Sequence, residues 1–157
     1  MGSARFYHLT RSSLEQSLQQ LLPRAIGAGL RVELRGTDAA RLEWLDQALW
    51  LGDEAGFLPH GLAGGSHDAL QPVLLTTSQA VSGGTDCLFA VHGAPVEAPE
   101  VAALDRVLFL FDGNDPDALG HARGQWKALT AAGAAAEYWS QESGSWQKKA
   151  DTASGKA

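Results

Sequence analysis

Residues 106–117 read RVLFLFDGNDPD. Val107 to Phe111 is an unbroken apolar run without polar alternation, so a strand formed here must be covered on both faces, as in the centre of a parallel sheet. The next residues break that pattern. Asp115 before Pro116 supplies a helix N-cap followed by the imino acid that tolerates the first helical position, and the predicted helix runs to about Ala132, where Gly133 stops it. Ala135 to Trp139 reads as one more strand. A strand buried on both sides needs helices on both sides. The fold class expected is therefore α/β: a three-layer, Rossmann-like domain with a mostly parallel twisted sheet and right-handed crossovers.

Working outward, the amino-terminal part carries the same alternation. Arg5 to Leu9 (RFYHL) is a strand candidate. A helix capped by Ser12 or Ser13 should follow, with Leu14, Leu18, Leu21, Leu22 and Ala25 at helical spacing until Gly27 and Gly29. Pro23 lies inside that pattern and predicts a kink or an earlier end. Leu30 to Leu34 alternates as a half-buried strand, and Gly36-Thr37-Asp38 opens a second helix with Ala40, Trp44, Leu45, Ala48 and Leu49 on one side. Residues 51–71 show neither period and form a long, partly apolar connection, of a length that in compact domains is usually functional or disordered. Val73 to Thr76 and Cys87 to Val91 are strand candidates, and a short helical piece is expected near Pro99 to Leu104. Residues 1–149 are read as one domain and 150–157 as a disordered tail.

Composition narrows the class further. The 157 residues are 45% apolar and 19% charged, which is ordinary for one globular domain able to build a core without metal or disulfide staples. Cys87 is the single cysteine. No signal-peptide pattern and no apolar run of spanning length occurs, so a cytoplasmic protein without membrane insertion is expected. A net charge of −6 argues against broad binding to nucleic-acid phosphates. That charge is uneven: residues 37–70 hold six acids and one base, whereas residues 118–157 hold five bases and three acids. Two faces with different partners are implied.

Most catalytic motifs fail. The turn after the first strand candidate, Leu9-Thr10-Arg11-Ser12-Ser13, has no glycine, so a pyrophosphate cannot approach the following helix, and no Gly-rich loop ends in Lys-Ser/Thr. No cofactor is expected. Asp112 to Asp117 resembles the start of a calcium loop, but Asp117 and Arg123 stand where glycine and glutamate are required, so a strand-to-helix turn is the better reading. The histidines do not pair at metal-ligand spacing, and no Gly-x-Ser-x-Gly elbow is present. One constellation stays open: His60, His67 and Asp68 share the long connection and could form an acid/base cluster.

Two binding signals are sharper. Arg123, Trp126 and Lys127 fall at i, i+3 and i+4 of the predicted helix, placing a cation, an aromatic wall and a second cation on one face. That stripe suits an acidic peptide ending in an aromatic residue; otherwise it is a solvated face. Trp50, just before the long connection, is either an exposed interface anchor or folded beneath its own loop.

Several stretches then agree with one family. Phe6-Tyr7-His8-Leu9, Leu45-Asp46-Gln47-Ala48-Leu49-Trp50, Phe57-Leu58-Pro59-His60-Gly61-Leu62-Ala63, Leu108-Phe109-Leu110-Phe111-Asp112 and Ala122-Arg123-Gly124-Gln125-Trp126-Lys127 occur in an order that resembles the chi subunit of bacterial DNA polymerase III holoenzyme. The resemblance implies a Rossmann-like domain without nucleotide chemistry, acting as a non-catalytic replication adaptor. It implies one surface for the psi subunit, or another clamp-loader subunit where psi is absent, with Trp50, Phe57 and Pro59 contributing. It implies a second surface for the acidic C-terminal tail of single-stranded DNA-binding protein at Arg123, Trp126 and Lys127, and hence an indirect association with DNA. The family usually has tyrosine where Trp126 stands. Trp146 corresponds to a C-terminal aromatic of the family and is grouped with the tail site.

Two function classes follow. The adaptor predicts an open groove beside Arg123 and Trp126 and no enclosed cavity. A small enzyme using His60, His67 and Asp68 predicts a deep pocket at the strand C-termini with perturbed histidines.

Overall fold

A computed structural model describes residues 3–10, 13–50, 60–63, 71–79, 81, 84–141 and 146–151, with the side chains of Trp50 and Asp151 excepted. In chain order the elements are β1 (Ser3–Leu9), α1 (Leu14–Gly27), β2 (Val32–Arg35), α2 (Ala39–Trp50), β3 (Gly61–Leu62), β4 (Val73–Thr76), β5 (Cys87–Ala90), α3 (Ala98–Ala103), β6 (Arg106–Asp112), α4 (Pro116–Ala131), β7 (Ala135–Ser140) and β8 (Gln147–Asp151). Among the described residues the strands form an eight-stranded sheet in the order β3-β4-β2-β5-β6-β1-β7-β8, parallel throughout except for β8.

The unbroken apolar run of β6 serves both layers because successive side chains point to opposite faces. Leu108 and Leu110 join Leu18 and Leu22 of α1 and Leu42, Leu45 and Leu49 of α2 in one core. Val107, Phe109 and Phe111 join Val101 of α3 and Ala122 and Leu129 of α4 in the other. The fold is the expected three-layer, Rossmann-like α/β domain. Phe6 on β1 sits opposite Phe109 in register, their rings stacked 4.4 Å apart.

Helix ends follow local chemistry. Ser13 caps α1: its Oγ accepts the Gln16 N–H at 3.2 Å while Gln16 Oε1 accepts the Ser13 N–H at 2.9 Å, a reciprocal capping box. The helix does not end early at Pro23. That residue is exposed, and the chain stays helical to Gly27. Asp115 caps α4 as expected, accepting from the Asp117 N–H at 3.0 Å. Gly133 follows α4 at φ 89°, the left-handed conformation that glycine accepts at a helix end.

Four expectations are corrected. Trp44 is not on the buried side of α2 but 60% exposed, because the buried stripe runs through Leu42, Leu45 and Leu49. Strand β2 begins at Val32 and is buried at every position rather than half-buried. Its two charged residues are accommodated by partners far along the chain: Glu33 Oε2 accepts from Thr85 Oγ1 at 2.6 Å, and Arg35 donates to Glu100 Oε2 at 2.6 Å. The 51–71 connection contributes the short strand β3. Finally, β8 places residues 150 and 151, expected in the tail, in the sheet; residues 152–157 lie outside the described residues.

Candidate functional site on helix α4

Helix α4 is held at a fixed roll. Gln125 bonds both backbone groups of Val96, and Ala122 and Leu129 are buried against the sheet. With those positions facing inward, Arg123 and Lys127 are exposed. Trp126 lies beside them toward the buried side of the helix, half-buried, with its ring edge-on to Phe6 at 5.4 Å and to Tyr138 at 6.1 Å. Tyr138 is itself held by a 3.0 Å hydrogen bond between its hydroxyl and His8 Nδ1. The tryptophan is thus supported from beneath by aromatic rings, and no described ion pair engages Arg123 or Lys127. Such an arrangement can offer two cationic donors to carboxylates around a rigid apolar edge.

Gly120 and Gly124 also lie on the exposed side of α4, and a Cβ at either would meet nothing within 4 Å. The fold therefore has no steric need for these glycines. Sequence reasoning passed over them, although glycine in a helix interior costs about 1 kcal/mol relative to alanine and so signals another requirement.

Trp146 is not brought to this site. It packs on Tyr7 at 5.1 Å in the core on the α1 side, and Tyr7 and Phe6, adjacent in β1, face opposite sides of the sheet. The backbone of Trp50 ends α2; its side chain and the whole of Phe57 and Pro59 lie outside the described residues. His60 is a buried structural residue, its Nε2 3.1 Å from the Asp46 carbonyl oxygen and 3.3 Å from Asp46 Oδ1. Its proposed companions His67 and Asp68 lie outside the described residues.

A separate open crevice of about 680 Å³ lies at the strand C-termini, bordered by the first turns of α1 and α4, by Arg41 and Trp44 of α2, and by His92 after β5. His60 does not line it. Burial, reinforced by the nearby Arg41 charge, pushes His92 down to about 4, so this imidazole is neutral at pH 7. Cys87 is inert: burial pushes its thiol up to about 12. Among the described residues no group of three or more His, Cys, Asp or Glu side chains could hold a metal ion, and no helix is long and apolar enough to cross a membrane.

The sheet order and the glycine-free turn after β1 define a Rossmann-like domain without the phosphate-binding turn of dinucleotide-binding relatives. Within that class, the family model for the DNA polymerase III chi subunit, HolC, matches residues 1–137, and the chain belongs to this family of replicative polymerase accessory subunits. The match runs from β1 into β7 and includes all of α4. No curated protein matches the chain.

Proposed function

We propose that this accessory subunit is a non-catalytic adaptor that links the clamp loader to the acidic C-terminal tail of single-stranded DNA-binding protein, and so associates with DNA indirectly. The observation that carries this reading is the pair of exposed cations, Arg123 and Lys127, flanking the ring-supported Trp126 on α4. The tail's carboxylates pair with the two cations and its apolar terminus lies against the indole. Gly120 and Gly124 let the peptide backbone approach the helix closely. Trp50, Phe57 and Pro59 are assigned to the psi subunit, or to another clamp-loader subunit where psi is absent.

Fluorescence anisotropy of a labelled tail peptide tests the reading. Binding should be micromolar, roughly −8 kcal/mol, weaken as salt rises, and fall at least about tenfold in Arg123→Ala and Lys127→Glu. A scrambled peptide binding equally well, or both variants binding as the parent does, overturns it.

A further inference from the structure

The crevice at the strand C-termini has no part in that adaptor reading. It lies where the crossovers separate: the chain leaving β1 enters the α1 layer, and the chain leaving the neighbouring β6 enters the α4 layer on the other face. Open parallel sheets hold their ligands at such a point. In nucleotide-binding members the helix N-termini there are left bare for phosphate. Here both already carry the chain's own carboxylates. Glu15 stands in the first turn of α1, Asp117 follows the cap Asp115 in the first turn of α4, and Asp112 ends β6, all on the crevice wall.

An anionic ligand would meet these four carboxylates. Against them, among the described residues, stand Arg41 and the imidazoles of His92 and His121, and His92 adds no charge at pH 7. Trp44, one helical turn beyond Arg41, is 60% exposed and lines the same space. Leaving an indole in water forgoes the stabilisation its burial would give. An aromatic face beside carboxylates is the arrangement that receives a cationic side chain, through the ring quadrupole and through charge-assisted hydrogen bonds.

We propose that this crevice is a docking site for an arginine- or lysine-bearing segment of a partner protein, with Trp44 against the cationic side chain and Glu15, Asp112 and Asp117 balancing its charge. Charge complementarity selects a basic occupant, and about 680 Å³ accommodates several side chains rather than a lone ion. The site is separate from the proposed tail surface. Helix α4 carries acids in its first turn, facing the crevice, and Arg123 and Lys127 further along, so one helix serves a basic partner at one end and an acidic one at the other.

The test titrates the full chain into a labelled arginine-rich hexapeptide and, in parallel, an acidic hexapeptide, at about 50 and about 300 mM salt. The basic peptide should bind, the acidic one should not, and salt should weaken the complex. Trp44→Ala, which changes no charge, should weaken binding about threefold or more. Arg41→Glu, which makes the crevice more acidic, should tighten it several-fold. Amide resonances around Glu15, Trp44 and Asp117 should shift, and the acidic tail peptide of the adaptor reading should bind Trp44→Ala as it binds the parent. Absence of basic-peptide binding at low salt overturns the proposal. So does an unchanged affinity in Trp44→Ala, which would mean diffuse attraction to an acidic protein, or weaker binding in Arg41→Glu, which would mean an anion site.

Discussion

Gln125 on α4 and Val96 in the segment before α3 are joined as two strands would be: Gln125 Oε1 accepts the Val96 N–H at 2.7 Å, and Gln125 Nε2 donates to the Val96 carbonyl at 3.0 Å. Val96 is buried, so its backbone groups have few other routes to satisfaction. The clasp holds the inward side of α4, opposite the exposed Arg123 and Lys127. It sets the roll of the helix that presents them.

Gln125→Leu removes both bonds and leaves a buried backbone donor and acceptor unpaired, so it should cost about 1–3 kcal/mol of stability in urea unfolding. Gln125→Glu keeps the acceptor but loses the amide donor and should fall between the two. A parental midpoint in Gln125→Leu would show that the clasp does not hold α4 in place.

Gly124→Ala separates folding from binding. A Cβ there meets nothing, so alanine should raise stability by about 0.5–1 kcal/mol through helix propensity alone. On the adaptor reading the added methyl obstructs the approaching peptide, and affinity for the acidic tail should fall while the melting temperature rises. A variant that is more stable and binds fully would take the glycine out of the site.

The legibility of the fold follows the range of the forces involved. Strand β6 and the Asp115 cap were plain because their signals are contiguous: an apolar run for one, a side chain two residues from the N–H it accepts for the other. The alternation over Leu30 to Leu34 predicts a half-buried β2 with Glu33 on the open face, and does not show its burial because the partners of Glu33 and Arg35, Thr85 and Glu100, lie 52 and 65 residues away. Helical spacing groups Trp44 with Ala40 and Ala48, but the stripe of Leu42, Leu45 and Leu49 governs which face of α2 is buried, and position 44 turns away from it. The polar QKKAD sequence of β8 gives no strand signal because an edge strand needs only its backbone bonds to β7. At the candidate site the Arg123, Trp126 and Lys127 stripe was legible from helical spacing. The rings beneath it, Phe6 and Tyr138, were not, since only the sheet brings them together.

Arg35 is fully buried, and its guanidinium reaches both the Pro95 carbonyl at 3.0 Å and the Glu100 carboxylate. Removing it as Arg35→Met deprives Glu100 of its counter-charge; because that carboxylate keeps partial access to water, the cost should lie near the lower end for broken buried pairs, about 3 kcal/mol. Burial alone would raise the Glu100 pKa, but the Arg35 hydrogen bond, the Glu97 backbone and the Arg35 charge together hold it below its ordinary 4.5. A depressed carboxylate stabilises the fold above its unfolded pKa, and that contribution fades as pH falls through the lower folded value. Urea midpoints of the parent should therefore drop below pH 4.5, and Glu100→Gln should flatten that part of the curve.

His92 acts in the window just above. Its backbone is left-handed at φ 56°, a conformation asparagine tolerates better than most side chains, and burial with the Arg41 charge lowers its pKa from 6.5 to about 4. The unfolded chain thus takes up a proton at this residue before the folded chain does, so stability is lost as pH falls from 6.5 toward 4. His92→Asn removes that titration while suiting the turn. It should match or exceed the parent at pH 7, and its advantage should widen as the pH falls through this range, read as the difference in thermal midpoints. An advantage that stays constant with pH would show that His92 titrates alike in the folded and unfolded chain, and would leave the turn conformation as its only effect.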